Sequence, residues 1–305
     1  LNALRRKGQA ALTEALLSPY RRTLNRHKNV ITSNQREAAP KRQWKLICQV
    51  SNREQWDTIL ENPSVSWIFA EAAAADIQLL SDSHKAGYQV YYVFPDVFRQ
   101  NAVQYYEQNW KQIGMEDYDG YVIRSLETLS FLKNKTKKPI IFDCNIYAWN
   151  QRSRRVNQEL GANRCVLPME LNYRELSRRD CREDIIVAYG YMPVMVTANC
   201  IRKNIKDCKA PGQIALRDRY QHLFPVQTYC RFCYNKIYNS QPTVLFDLEQ
   251  ELKKLNLFGV KLDFTIESAP RVRQILETYT KVLAGEKTQN PINDYTRGHF
   301  RRGVE

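Results

Sequence analysis

Residues 120–188 read GYVIRSLETLSFLKNKTKKPIIFDCNIYAWNQRSRRVNQELGANRCVLPMELNYRELSRRDCREDIIVA, and this stretch decides the fold. Short runs rich in Val, Ile, Leu and Phe alternate in it with polar segments of helical character. Apolar runs separated by helices are typical of parallel strands that are buried on both faces. The stretch therefore predicts an α/β fold, with strands at residues 120–123, 139–143, 164–167 and 184–188.

The same alternation continues on both sides of this stretch. Further apolar runs lie at residues 45–50, 67–72, 89–94 and 192–196, which brings the series to eight. Right-handed crossovers either close such a series into a barrel or wind it into an open sheet. Eight units fit a (β/α) barrel, TIM-barrel-like and either complete or incomplete. A doubly wound sheet is the alternative, but no Gly-rich phosphate loop follows any of these strands.

The pattern changes at both ends of the chain. Residues 1–43 predict an N-terminal helix, residues 2–26, and a polar linker, and we expect them to be the end of an upstream domain of a longer chain. Residues 44–200 are the predicted barrel-like core. Residues 201–305 contain antiparallel segments, helices and an alternating strand at 260–266, and they predict a cysteine-containing α+β extension that completes the same domain.

Composition bounds the class of protein and its partners. Lys and Arg number 46 against 32 Asp and Glu, which gives a formal charge of +14 in 305 residues. Such a surplus attracts polyanions, and nucleic acid is the commonest of these, so nucleic acid is the expected partner. No apolar stretch is long enough to span a bilayer and no secretory signal is visible, so we expect a cytoplasmic protein without membrane contact.

Four of the eight cysteines cluster between residues 200 and 233 with the spacing C-x7-C-x21-C-x2-C. Thiolates bind soft or borderline metals, and four of them complete a zinc site or hold an iron–sulfur cubane. The first pair is wider than a zinc-ribbon knuckle, and it follows what the pattern predicts to be a barrel strand. We therefore expect an iron–sulfur cluster, with zinc as the alternative, on Cys200, Cys208, Cys230 and Cys233.

Several motifs resemble one known family. YGYMPVMVTANC (189–200), LRDRYQHLFPVQTYCRFCYNKIYNS (216–240), PMELNYREL (168–176), GVKLDFTIES (259–268) and YTRGHFRRGVE (295–305) are similar to the collagenase-like peptidases of unassigned catalytic type, family U32. The resemblance covers residues 65–305. Residues 2–22 look like the end of the insert domain that joins two copies in long members, so this chain resembles a second copy.

The resemblance implies a barrel-like core with a [4Fe–4S] cluster held by the four cysteines named above. Some members of the family are named as proteases. Related members hydroxylate RNA pyrimidines, or the ubiquinone ring without oxygen, with prephenate as the oxygen source. The resemblance therefore implies hydroxylation of a pyrimidine in rRNA or tRNA, with a prephenate-like small carboxylate as a further partner.

Candidate site residues lie on loops that follow predicted strands, because the active sites of barrels lie at the carboxyl face of the strands. Arg124 is a candidate for binding a carboxylate or phosphate, and Glu170 is a candidate acid or base. Further candidates for substrate contact are Asn145, Asn172, Tyr191, Arg155 and Arg297. For phosphate contact we also expect Arg152, Arg154, Arg174, Arg178, Arg179, Arg301 and Arg302, and for base stacking Tyr147, Trp149 and Phe300.

Two other functions stay open from the sequence. Proteolysis, as the family name implies, needs a nucleophile with a base or a metal with His ligands. The four histidines form no H-E-x-x-H motif, and no G-x-S-x-G is present. The third hypothesis is a non-catalytic, metal-stabilised half that binds RNA.

Overall fold

The structure is a computed structural model that describes residues 1–21, 43–204, 214–286 and 288–304. The chain divides into two compact units, residues 1–39 and residues 40–305. In the first unit, helix α1 (Asn2–Leu17) begins where the sequence predicts and is followed by a short 3₁₀ turn, Ser18–Tyr20. None of the side chains of α1 is buried.

The second unit contains the strands and the remaining helices. Its strands are β1 (Lys45–Val50), β2 (Val65–Glu71), β3 (Gln89–Val93), β4 (Gly120–Ile123), β5 (Ile140–Phe142), β6 (Ala162–Val166), β7 (Asp184–Gly190), β8 (Pro193–Thr197), β9 (Ile214–Arg217), β10 (Leu223–Tyr229), β11 (Tyr234–Tyr238), β12 (Thr243–Val244) and β13 (Gly259–Asp263). Its helices are α2 (Arg53–Leu60), α3 (Ile77–Lys85), α4 (Gln100–Asn109), α5 (Leu126–Leu132), α6 (Gln151–Glu159), α7 (Tyr173–Leu176), α8 (Ile201–Asn204), α9 (Glu249–Leu255) and α10 (Ala269–Leu283).

Eight parallel strands form a closed barrel in the order β7-β13-β1-β2-β3-β4-β5-β6. The ring closes because Cys165 of β6 pairs with Asp184 of β7. A closed ring leaves no free edge on its strands. The predicted (β/α) barrel is therefore confirmed, and the doubly wound alternative is wrong.

The eighth barrel strand differs from the one that the sequence predicts. Residues 192–196 were expected to end the series, but β8 pairs antiparallel with β11 in a separate sheet, β8-β11-β10-β9. Only two residues join β7 to β8, and a crossover between parallel strands needs a dozen or more. Strand β13 takes the place instead, between β7 and β1.

The core has two layers. One layer fills the inside of the barrel and includes the side chains of Ile47, Phe69, Val122 and Ile185. A larger layer lies between the outer faces of the strands and the helices, and Phe300 belongs to it. No helix in the described parts of the chain is both long and apolar enough to cross a membrane.

Candidate active site at the barrel mouth

A layer of buried charges lies at the carboxyl ends of the barrel strands. The guanidinium of Arg124, just after β4, lies 2.9 Å from Glu71 Oε1, 3.1 Å from Asp96 Oδ2 and 2.9 Å from Asp143 Oδ2. On β13, Lys261 Nζ lies 3.3 Å from Asp143 Oδ1. These side chains meet because the carboxyl ends of parallel strands share one face of the barrel.

The small antiparallel sheet covers this layer. Lys236 of β11 lies 2.6 Å from Asp96 Oδ2 and 3.4 Å from Glu71 Oε1. The hydroxyl of Tyr229, on β10, donates to Glu71 Oε2 at 2.6 Å. Lys236 and Glu71 are both buried, so the small sheet and the barrel share one buried ion network.

The network holds one more carboxylate than it holds cations. Its anions are Glu71, Asp96, Asp143 and Asp263, and its cations are Arg124, Lys236 and Lys261. Burial raises the pKa of Asp263, and the nearby charge of Lys261 does not offset this rise. The pKa of Asp143 moves the other way, since Lys261 and Arg124 outweigh the effect of its burial. Asp263 therefore takes up a proton more readily than Asp143 does.

The ionised form of Glu71 is expected to stabilise the fold above pH 4.5. Burial alone would raise its pKa, but Lys236, Arg124 and the Tyr229 hydroxyl lower it to about 2 from an ordinary 4.5. Since the pKa is lower in the folded state, this contribution, about 3 kcal/mol, is lost as the pH falls from 4.5 toward 2. Urea unfolding of wild type and Glu71→Gln between pH 6 and pH 3 measures it. A wild type that loses no more stability on acidification than the variant would contradict the prediction.

The sequence predicts that Arg124 binds an external carboxylate or phosphate. In the structure its guanidinium contacts carboxylates of the protein itself. The contacts that the structure shows for its guanidinium are those with Glu71, Asp96 and Asp143. Its role in the described structure is to hold three carboxylates at the barrel mouth. Binding of an external anion by Arg124 stays a prediction.

A cavity of about 490 Å³ opens between the segment after β6, strand β7, the start of β8 and residues 296–300. Two of the predicted site residues, Glu170 and Arg297, line it together. The Tyr147 hydroxyl donates to Glu170 Oε1 at 3.3 Å, and Arg297 forms an ion pair with Asp247. The structure thus brings Glu170 and Arg297 into one pocket at the face where barrels carry their active sites.

The other substrate-contact candidates are dispersed. Asn172 caps α7, where its side chain accepts the Glu175 N–H at 3.0 Å and the Glu175 carboxylate accepts the Asn172 N–H at 2.9 Å. Asn145 is exposed in the turn after β5 and Arg155 is exposed on α6, whereas Tyr191 is partly buried. A helix cap explains Asn172 without any ligand.

Three of the expected nucleic-acid contacts are wrong. Arg154 and Arg179 are buried and lie 3.0 Å and 3.1 Å from the carboxylate of Asp184. Phe300 is also buried, with its ring 5.9 Å from that of Tyr173. Arg154 and Arg179 are buried because both pair with Asp184, the first residue of β7, and the ion pairs offset the cost of burying their charges.

Two segments that carry cysteines of the predicted metal site lie side by side at one end of the small sheet. Cys200 follows β8, and Cys230 and Cys233 flank the turn between β10 and β11. Thr197, at the end of β8, pairs with Asn235, near the start of β11, which places the two segments side by side. Cys208 lies outside the described residues. Cys200 follows β8 of the small sheet, so the prediction that it follows a barrel strand is wrong.

Three features of these cysteines bear on metal binding. Cys230 and Cys233 are exposed, Cys200 is partly exposed, and Cys233 has a left-handed backbone (φ 53°) that closes the C-x2-C turn. Thiolates exposed at a turn suit a soft metal or cluster. Within residues 1–21, 43–204, 214–286 and 288–304, no group of three or more His, Cys, Asp or Glu side chains is arranged to hold a metal ion.

Asn235 ties the two cysteine segments together. Its side-chain amide is fully buried and donates to the carbonyls of Asn199 at 3.1 Å and Thr197 at 3.5 Å. The sequence offered no signal for this residue other than its place two positions after Cys233. Asn235 sets the path of the chain just before Cys200.

Replacing Asn235 by alanine is expected to lower the free energy of unfolding by about 1–3 kcal/mol, because the two hydrogen bonds from its buried side chain to main-chain carbonyls are lost. The exposed Asn145 gives a matched control, and Asn145→Ala should change stability by no more than about 0.5 kcal/mol. Urea denaturation of the three proteins measures both values. Equal stabilities of the two variants would argue against a tie at Asn235.

The cysteine end and the pocket lie at opposite ends of β8. Pro193 and Val194 line the pocket, while Cys200 follows Thr197 at the other end of the strand. At about 3.3 Å per residue, β8 separates the two by roughly 13 Å. The pocket with Glu170 is thus a separate compartment from the cysteine turn.

Comparison with known proteins gives likeness in structure alone. No family model matches the chain, and no curated protein matches it. Among solved structures, a U32 peptidase is 9% identical over 77% of this chain and 97% of its own, with a TM-score of 0.46. The flavin-binding domain of baker's yeast flavocytochrome b2 is 10% identical over 79% of this chain and 63% of its own, with a TM-score of 0.44. The C-terminal domain of a chitinase-like protein from Desulfitobacterium hafniense is 9% identical over 79% and 99%, with a TM-score of 0.40. Likeness at this level assigns neither family nor activity.

Proposed function

We propose that this chain is an iron–sulfur protein of the collagenase-like peptidase family that takes part in hydroxylating a pyrimidine of RNA. The observation that carries the proposal is that the segment before Cys200 and the segment after Cys233 lie side by side at one end of the small sheet. Cys230 and Cys233 are exposed, so packing in a core does not explain why they lie at this turn.

The residues present fit a cluster better than they fit a buried structural role. Cys200, Cys230 and Cys233, with Cys208 as the fourth ligand, supply the four thiolates that a [4Fe–4S] cluster takes. Such a cluster supplies electron transfer when it is bound. The side chains of the chain itself would bind and orient the substrate at the barrel face. Zinc remains the alternative metal for four thiolates.

Exposed basic and aromatic side chains support RNA as the substrate. Tyr147 and Trp149 expose 51% and 43% of their surface on the loop after β5, with ring centroids 6.3 Å apart. Exposed aromatic rings stack on unpaired bases, and arginines neutralise phosphates. The exposed arginines are Arg152 and Arg155 on α6, Arg174 and Arg178 in and just after α7, and Arg301 and Arg302 near the C-terminus.

Proteolysis receives less support from the geometry. The described histidines make their hydrogen bonds with Asp119, with Asp218 and with the carbonyl of Gly303. None of these bonds reaches a serine or cysteine, as a nucleophile and base pair requires. His27 lies outside the described residues.

Nucleoside mass spectrometry of cellular RNA tests the proposal. Cells that lack the gene for this chain are complemented with the wild-type gene, with the Cys230→Ala gene or with an empty vector. A hydroxylated pyrimidine should disappear with the gene and return only with the wild type. Unchanged hydroxylation in the deletion strain would refute the RNA function. Full restoration by Cys230→Ala would refute a role of the cysteine-bound cluster in the reaction.

A further inference from the structure

Strand β8 (Pro193–Thr197) lies at one edge of the small antiparallel sheet. It pairs with β11 on one side, and no strand in the described parts of the chain pairs with it on the other. Alternate residues of an edge strand direct their N–H and C=O groups away from the sheet. The backbone of β8 is therefore open to pairing with a further strand.

The side chains of β8 are apolar and exposed. Val194 and Met195 each expose 55% of their surface, and Val196 exposes 38%. Val196 lies opposite Lys236, whose side chain reaches the barrel, so Val196 is on the barrel side of the sheet and Met195 is on the other side. The strand is thus exposed on both of its faces as well as along its edge. Three consecutive exposed apolar residues are a fault in a strand unless they serve for binding.

Charge does not protect this edge. Soluble proteins keep their edge strands apart with charged side chains, above all Lys. The chain has 46 Lys and Arg, yet none of the five residues of β8 is charged. Protective features are limited to the start of the strand, where Pro193 lacks an N–H and the register with β11 shifts between Ile237 and Tyr238. From Met195 to Thr197 the strand pairs regularly with β11 and remains open on its outer side.

We propose that β8 pairs with β8 of a second copy of this chain, antiparallel and about a twofold axis near Met195. The strand is self-complementary in this arrangement, as a twofold interface requires. Val194 comes opposite the partner's Val196. Pro193 comes opposite the partner's Thr197. Only uncharged side chains meet, so the pairing avoids direct contact between like charges in a protein of net charge +14. The two small sheets become one continuous sheet.

The pairing also adds a wall to the pocket that contains Glu170 and Arg297. Pro193 and Val194 line that pocket at the start of β8. In an antiparallel pair, the end of one strand lies beside the start of the other, about 5 Å away. The partner's Thr197 therefore comes to the rim of the pocket, and each copy completes the pocket of the other. Dimerisation through β8 needs neither iron nor RNA, so it stands or falls apart from the proposed function.

Sedimentation velocity of the 305-residue protein, from about 1 µM to about 200 µM, tests the proposal. Physiological ionic strength screens the repulsion between two basic copies beyond about 8 Å. Strands of five residues bury less area than a standard-size interface does, so we expect a reversible dimer at the upper concentrations and monomer at the lower ones. A wild type that stays monomeric over the whole range would overturn the proposal.

Two charged variants locate the interface. Met195→Lys and Met195→Glu each bring like charges together near the twofold axis, and each should weaken dimerisation by at least about tenfold. An equimolar mixture of the two variants should dimerise again, because opposite charges then face each other. Restoration by mixing also shows that both variants are folded. Dimers of wild-type affinity in each variant alone, or a mixture that stays monomeric, would refute pairing near Met195.

Leu126 and Leu12 provide matched controls. Leu126 is 53% exposed on α5, and Leu12 is 62% exposed on α1, so both lie outside the small sheet. Leu126→Lys and Leu12→Lys should dimerise as the wild type does. The second control examines the other exposed apolar surface of the chain, helix α1. Loss of the dimer in Leu12→Lys but not in Met195→Lys would assign the contact to α1 and overturn pairing through β8.

Hydrogen exchange identifies the strand directly. The amides of residues 194–197 should exchange more slowly at a dimeric concentration than at a monomeric one, because some of them donate to the partner strand only in the dimer. Met195→Lys should show the same exchange at both concentrations. Concentration-independent exchange of residues 194–197 in a wild type that dimerises would contradict the proposal.

Discussion

Replacing Arg124 by alanine is expected to lower the free energy of unfolding by about 3–5 kcal/mol. The guanidinium contacts Glu71, Asp96 and Asp143, all of them buried, at 2.9–3.1 Å. Its removal leaves those carboxylates with Lys236 and Lys261 as their only cations in the described network. Buried carboxylates that lose a cation must take up protons or admit water. Urea unfolding at pH 7 measures the loss.

An exposed ion pair provides the control for Arg124. Arg53 lies 2.7 Å from Asp76, with 61% of its side chain exposed. Arg53→Ala should change the free energy of unfolding by no more than about 1 kcal/mol, because water screens the pair. If Arg124→Ala unfolds at the same urea concentration as Arg53→Ala, the network does not stabilise the barrel mouth.

The second large effect is expected at the cysteines. Anaerobically purified wild type should contain about four iron and four sulfide per chain, and Cys230→Ala should lose most of both together. The site lies at an exposed turn, so a missing thiolate lets water reach the cluster. Metal analysis and the visible absorbance spectrum measure the content.

Cys144→Ser gives the matched control, because Cys144 is partly exposed but follows β5 and does not belong to the predicted metal site. This variant should keep the iron and sulfide of the wild type. One zinc per chain and no iron in the wild type would refute the cluster. Equal loss of iron in both variants would show that the cysteines of the small sheet are not its specific ligands.

Local elements of the fold were predictable from the sequence. The strands predicted at residues 45–50 and 120–123 coincide with β1 and β4. These elements are encoded by the spacing of apolar residues along a few turns or pleats. The barrel followed from their alternation, since parallel strands need long crossovers.

The position of the strand that closes the barrel, β13, could not be predicted from this alternation. Strand β13 lies between β7 and β1, although 68 residues separate Gly190 from Gly259. Its alternating pattern results from Lys261, which points into the charged layer while Val260 and Leu262 pack outward. A charged side chain inside a barrel contradicts the apolar pattern by which strands are recognised.

The sequence by itself determined the strand–helix alternation, the basic charge and the cysteine spacing, since each of these is local or a simple sum. Only the tertiary structure decided which charges meet. Lys236 neutralises Glu71 from 165 positions away, and Arg154 is buried against Asp184 where the sequence suggested a phosphate contact. The free energy of an ion depends on its burial and its partners. Both are fixed by pairings between distant segments, which no local pattern of residues encodes.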